Sequence, residues 1–346
     1  MKKILATLLA LTMMLTFVVG CTAKDADKTS TPSANATTQD KTPETDKEDG
    51  AKDEIVIGVV TKIIDPFFQK LIDGCIARGE ELGIKVIYGA ASNSTAIEEQ
   101  INIIEDMIVQ GVDGLIIVPI DSKALVPVAV KAIEQGISVV NFDNKFDPET
   151  VQASGIDYIP FVGIDNEQAA YMVVKYLCEY LNGEGKVAIC EGTRGADNAT
   201  LRSNGAIRAF EEYAGIEIVA SQPGDFVTDT AYAAFANVFQ AHPEITAVFC
   251  SGDLMALGVI QAAQEAGLAD QITIAGFDCD PANLVYIKEG KQLCDLDQNP
   301  SAISAKAVDV CIAMINGETP DSLYNVDPIV VSVENVEPYL EAAGLN

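Results

Sequence analysis

Residues 112–144, VDGLIIVPIDSKALVPVAVKAIEQGISVVNFDN, carry the pattern that decides the fold. An unbroken apolar run, Gly114–Val118, leads into apolar residues at helical spacing over Lys123–Gln135, and Gly136 stands where that helix should stop. A second such run, Ser138–Phe142, completes the unit. Strands buried on both faces show no polar alternation and belong to parallel sheets, so the stretch predicts strand, helix, strand, with helices on both faces of the sheet.

The unit repeats outward in both directions. Further strands are expected at Ile55–Val60, Lys85–Tyr88, Phe161–Gly163, Lys186–Cys190, Glu217–Ala220, Ala247–Cys250 and Ile272–Phe277, with a last one at Pro328–Val333. Helical spacing covers Phe67–Leu82, Ala96–Gln110, Gln168–Leu181, Thr200–Tyr213, Thr230–Ala241, Leu254–Ala266 and Ala302–Asn316. The pattern pauses over Phe146–Pro160 and starts again. That rhythm predicts an α/β fold of two doubly wound parallel-sheet lobes joined by a multi-strand hinge. Residues 53–163 with 299–326 would form one lobe, and 164–298 with 327–346 the other.

The first 52 residues lie outside this pattern. Lys2 and Lys3, the apolar run Ile4–Val19 and Gly20 describe a secretory signal over residues 1–20. Val18-Val19-Gly20-Cys21 resembles a lipobox, which implies lipidation of Cys21. Residues 21–52 then form a polar stretch with too little apolar surface to offset ordering, which is expected to be a disordered tether. The formal net charge of −29 excludes nucleic acid as a partner and disfavours anionic lipid, so any membrane attachment would be through the lipid alone. Beyond Cys21, seven scattered cysteines without a CxxC spell neither a disulfide framework nor a zinc site, and the one histidine, His242, falls in a loop before Pro243.

Ligands of open parallel sheets bind beyond the carboxyl ends of the strands. Read to their ends, these strands lead to Asp65-Pro66-Phe67-Phe68, Asp121, Asp143-Asn144, Glu191 with the loop to Asn198 and then Arg202, Gly252-Asp253, and Asp278-Cys279-Asp280. Planar carboxylates, an amide and a guanidinium can each bond two adjacent hydroxyls, and aromatic faces cover the C–H side of a sugar ring. The set suits a neutral polyol better than a phosphorylated one, since a single arginine faces several carboxylates. Asp121 and Asp253 also suit the role of helix N-caps.

Four segments in order resemble the ribose-binding branch of the periplasmic sugar-binding proteins: Asp65–Phe68, Ser221–Phe226, Met255–Gly258 and Gly276–Asp278. The similarity runs from Ile55 to about Val333. It implies the two-lobed type I fold, a monomer, a monosaccharide as ligand and a lipoprotein that feeds an ABC importer permease through hinge closure. Asp65, Phe67, Phe68 and Asp143, with Asn144 beside it, are then first-lobe contacts; Arg202, Phe226 and Asp278 come from the second lobe and Gln298 from the hinge. Three departures from the ribose binders stand out. Val118 replaces an amide, Asn144 replaces an arginine, and Gly252 replaces an asparagine and is expected to leave space. They point away from ribose toward a larger, deoxygenated or differently configured sugar, with Glu191, Arg194 and Asp197 as candidate replacement contacts.

No GxSxG elbow, HExxH or Walker loop is present, and Gly183-Glu184-Gly185 precedes its strand, so no enzyme and no cofactor is called for. Asp278-Cys279-Asp280 and Asp295-Leu296-Asp297 are carboxylate-rich but lack calcium-loop spacing, and no metal is expected. The alternative within the same binding physics is a sensor whose closed form reports to a membrane receptor, with a sugar or furanosyl signal as ligand.

Overall fold

The computed structural model describes residues 54–345; the expected signal, Cys21 and tether lie outside the described residues. The chain runs β1 (Val56–Thr61), α1 (Pro66–Leu82), β2 (Lys85–Ala90), α2 (Ile97–Gln110), β3 (Gly114–Ile117), α3 (Val126–Glu134), β4 (Ser138–Phe142), α4 (Pro148–Ala153) and β5 (Phe161–Gly163). It continues through α5 (Asn166–Tyr180), β6 (Glu184–Glu191), α6 (Asp197–Glu211), β7 (Gly215–Pro223), α7 (Thr228–Ala241), β8 (Ala247–Cys250), α8 (Asp253–Glu265) and β9 (Thr273–Ala275). The last elements are α9 (Pro281–Lys288), β10 (Cys294–Asp297), α10 (Pro300–Ile315), β11 (Leu323–Asn325), β12 (Ile329–Ser332) and α11 (Glu337–Ala342).

The strands form two sheets, ordered β11-β5-β4-β3-β1-β2 and β12-β10-β9-β8-β6-β7. Five strands of each follow the same doubly wound order, β2-β1-β3-β4-β5 in the first lobe and β7-β6-β8-β9-β10 in the second. Every pairing is parallel except β10 with β12, which is antiparallel. The order reverses direction between β1 and β3, and again between β6 and β8. Loops leaving such strand pairs diverge to opposite faces and leave a crevice between them. After α10, which packs on α1, β3 and β4, the chain gives one edge strand to each sheet, β11 to the first and β12 to the second.

Local rules explain the helix ends. Asp65 caps α1 by accepting the Phe68 N–H at 2.8 Å, Pro66 occupies its first turn, and Gly83 ends it in the left-handed region at φ 68°. Close helix crossings explain other glycines. A Cβ on Gly258 of α8 would lie 2.9 Å from the Tyr232 amide nitrogen of α7, and one on Gly74 of α1 would lie 2.7 Å from Ser304 of α10. Buried thiols fill the core: all seven cysteines of the described residues are buried and unpaired. Among these residues no helix is long and apolar enough to cross a membrane.

The structure adds elements that the sequence pattern hid. The pause before Pro160 contains α4, capped by Asp147 through the Thr150 N–H, and α9 and α11 are further short helices. Residues 294–297 form a full strand, β10, because Asp295 is buried and satisfied by hydrogen bonds, against the low strand propensity of aspartate. Gly258→Ala is expected to destabilise the protein by about 1–3 kcal/mol, since two helix backbones would have to part; urea denaturation measures it.

Candidate functional site

A cavity enclosing about 460 Å³ of non-atom space, part of it open to solvent, lies between the two lobes at the strand ends. Lys62, Asp65, Phe67, Phe68, Ser94 and Asp143 line it from the first lobe. Asn198, Arg202, Phe226, Gly252, Asp253, Leu254, Asp278 and Asp280 line it from the second, and Gln298 from the chain crossing after β10. Eight of the nine residues expected to contact a ligand are therefore brought together here.

The ninth, Asn144, is not in the cavity wall. It is fully buried; its Nδ2 donates to the Pro119 carbonyl at 2.6 Å, and its Oδ1 accepts the Asn198 N–H at 3.1 Å. Both hydrogen-bonding ends of the amide are thereby used by backbone groups. Glu191, Arg194 and Asp197 are also outside the wall: Arg194 is exposed, and Glu191 accepts from the Ser221 hydroxyl. The loop does contribute, one residue later, through Asn198.

Arg202 is 2 % exposed and held on several sides. Its Nε donates to Asn166 Oδ1 and its Nη1 to the Ser251 carbonyl, both at 2.8 Å; Nη1 also lies 3.7 Å from Asp278 Oδ1. The guanidinium carbon sits 3.7 Å over the Phe277 ring. Stacking and planar bonding fix the group in one orientation, which lysine cannot match. Gln298 Nε2 donates to the same Asp278 oxygen, which ties the hinge crossing to the arginine.

Backbone strain gathers at the same place. Asp143 (φ 61°), Phe226 (φ 56°) and Asp278 (φ 117°) all line the cavity in conformations that L residues rarely adopt. Each costs of the order of 1–3 kcal/mol and persists only where neighbours overdetermine it. Asn141 does this for Asp143, donating to the Asn144 carbonyl at 2.7 Å and accepting the Phe146 N–H at 2.8 Å. Phe226 is wedged against Gly192 and Gly252, and a Cβ on Gly252 would lie 3.0 Å from the ring. The space left at Gly252 is thus taken up in part by the Phe226 ring, which itself lines the cavity.

Asp253 is not a cap of its own helix. Its two oxygens accept the Phe277 N–H at 3.3 Å and the Asp280 N–H at 2.6 Å, so it braces the loop that carries Asp278. Asp295 braces the same loop through the Cys279 N–H at 3.3 Å. Among the described residues, no group of three or more His, Cys, Asp or Glu is arranged to hold a metal ion.

Burial dominates the electrostatics. It raises the Asp143 carboxyl and pushes Asp278 well above the usual range against the pull of Arg202; it lifts Asp65 to about 6 and Asp280 to about 7. Lys62 is lowered to about 8 by the same desolvation, which outweighs the nearby Asp143. Its ammonium lies 5.6 Å from the centre of the Phe226 ring. The sequence reading missed this lysine because it stands two residues beyond an unbroken apolar run, where a solvated loop charge is the ordinary outcome. Ser94 and Asn198 were missed for the same reason.

The sequence model of the periplasmic binding protein domain matches residues 57–319. The chain belongs to this family. A D-ribose/D-allose-binding protein of Pseudomonas aeruginosa is 36 % identical over 265 residues, covering 76 % of this chain and 82 % of that protein. A ribose import binding protein of Salmonella typhimurium is 31 % identical over 277 residues, with 80 % and 90 % covered. Among solved structures, an ABC transporter solute-binding protein of Actinobacillus succinogenes with bound D-allose superposes with a TM-score of 0.79 at 33 % identity, covering 83 % of this chain and all of that one. These relatives are binding proteins and not enzymes, and the family places them outside the cytoplasm.

The buried groups make stability depend on pH in two opposite ways. The folded-state values of Asp65 and Asp280, about 6 and 7, exceed the ordinary 3.8, so the folded chain binds extra protons between about pH 4 and 7. Their contribution to stability is fully present below about pH 4 and is lost as pH rises through those values. Lys62, at about 8 against 10.5, contributes stability above about pH 10 that is lost as pH falls through 8. The ligand-free protein is expected to melt at a lower temperature near pH 7.5 than near pH 5, with a smaller difference in Asp280→Asn. Melts followed by circular dichroism check this, and an identical pH slope in the variant would rule Asp280 out as a contributor.

Proposed function

We propose that this protein captures a neutral monosaccharide in the interlobe cavity and delivers it, as an extracytoplasmic lipoprotein anchored through Cys21, to an ABC importer. The observation that carries the reading is Asp143. It is 2 % exposed, faces the cavity, and neither carboxylate oxygen has a hydrogen-bond partner among the described residues. Buried acceptors left unpaired are costly, and a ligand bearing adjacent hydroxyls satisfies both oxygens at once. Asn198 Oδ1 and Gln298 Oε1 are buried acceptors in the same condition.

The surrounding groups narrow the ligand. Asp65, Asp143, Asp278 and Asp280 outnumber Lys62 and Arg202 in the wall, which disfavours a phosphate or a second carboxylate. Phe67 and Phe68, packed edge to face with ring centres 5.3 Å apart, and Phe226 supply apolar faces for the C–H side of a sugar ring. The ligands of the relatives, ribose and allose, are sugars of this neutral class.

A thermal-shift screen of the purified protein against pentoses, hexoses, deoxysugars and polyols tests the reading, with D-allose and D-ribose first. A true ligand at roughly 100 times its Kd should raise the melting temperature by about 5–10 °C. Asp143→Ala should weaken that ligand by roughly ten- to a hundredfold in calorimetric titration, the effect of removing a charge-assisted hydrogen bond. A shift with amino acids or nucleosides and none with any sugar would keep the fold and overturn the ligand class.

A further inference from the structure

The N-terminus of α6 lacks a cap from its own lobe. Its N-cap residue is Ala196, which has no side-chain acceptor, yet the first N–H groups of a helix have no partner within it. Two of them are satisfied from across the cleft. The Asp197 N–H donates to Ser122 Oγ at 3.0 Å, and the Asn198 N–H donates to Asn144 Oδ1 at 3.1 Å. The Ser122 N–H in turn donates to the Gly195 carbonyl at 3.2 Å.

Both acceptors are anchored in the first lobe. The Ser122 carbonyl accepts the Asp147 N–H at 2.8 Å, while Asn144 is pinned through Pro119 and, at its own carbonyl, by Asn141. The receiving turn is also part of the cavity. Asn198 and Arg202 stand four residues apart on α6, hence on one face, and both line the wall.

We propose that α6 is capped in trans: Ser122 and Asn144 of the first lobe complete the start of this second-lobe helix only when the lobes are closed, so Asn144 is a positioning residue that couples closure to ligand binding. The proposal rests on the sugar-binding reading for its consequence in affinity, but the capping itself does not. When the cleft opens, the two N–H groups exchange a fixed acceptor for water, and the turn that sets Asn198 and Arg202 loosens. Ligand contacts and caps therefore favour the same closed arrangement. Because neither cap touches the ligand, losing one lowers the affinity for every sugar by the same factor.

The test uses the mature full-length protein and two readouts. Amide hydrogen exchange, followed by NMR in protein saturated with sugar, should be roughly three- to tenfold faster at Asp197 in Ser122→Ala and at Asn198 in Asn144→Ala, and near wild type at Asp197 in Ser122→Thr. Titration with D-allose and D-ribose should show both weakened roughly three- to tenfold in each alanine variant, with their ratio unchanged. Exchange unaltered at both amides would overturn capping in trans. A changed ratio between the sugars in Asn144→Ala would overturn the positioning role and make Asn144 a contact. If neither sugar binds the wild type, the choice of ligand fails, and the same exchange comparison in protein saturated with the compound of the thermal-shift screen that does bind decides the capping; if Asn144→Ala does not fold, the Ser122 pair decides it alone.

Discussion

A guanidinium held in the interior between two sheets is the constraint around which the site is arranged. Removing such a charge from water is tolerated only if its hydrogen-bonding positions are met and an opposite charge is near. Asn166, the Ser251 carbonyl, Asp278 and the face of Phe277 meet those demands for Arg202, and they come from the crossing into α5, the end of β8 and the loop after β9. Three elements distant in sequence must therefore be in register before the arginine can be buried.

That requirement propagates into the backbone. Asp278 approaches the arginine from a backbone at φ 117°, and the loop holding it is braced by Asp253 and Asp295 from below and by Gln298 from the hinge. Phe226 and Asp143 show the same economy of strain, each locked by close neighbours, Gly192 and Gly252 for the one and Asn141 for the other. Rigid presentation of this kind leaves few rotamers to freeze when a ligand arrives, which favours affinity.

The polar contacts between the lobes are weaker and more separable. Lys70 of α1 donates to the Cys279 carbonyl at 2.9 Å and lies 3.8 Å from Asp280, on one side of the cleft. Ser122 and Asn144 meet the start of α6 on the other. Both sets are polar, whereas the core of each lobe holds residues such as Ile57, Leu115, Phe235 and Phe249 out of water.

Much of this was legible in the sequence because it depends on local period. Unbroken apolar runs such as Gly114–Ile117 and Ala247–Cys250 are strands buried on both faces whatever surrounds them, and left-handed glycines such as Gly83 and Gly136 end helices for steric reasons alone. Reading the strand ends was enough to gather Asp65, Asp143, Arg202 and Asp278, since the carboxyl end of a parallel strand is where its loop must face the crevice, whereas Phe226 came from the family resemblance alone. β10 escaped because buried aspartate defies propensity unless its partners are known, and Lys62 and Asn198 because a polar loop residue carries no sign of its direction. Asn144, adjacent in sequence to Asp143, was assigned to the ligand and instead spans the lobes. The sequence by itself determined most of the strands and helices and at which rim the polar residues collect. Only the tertiary structure decided which of those residues face the cavity and which face the opposite lobe, because a side chain's direction there is set by hydrogen-bond partners tens to hundreds of positions away.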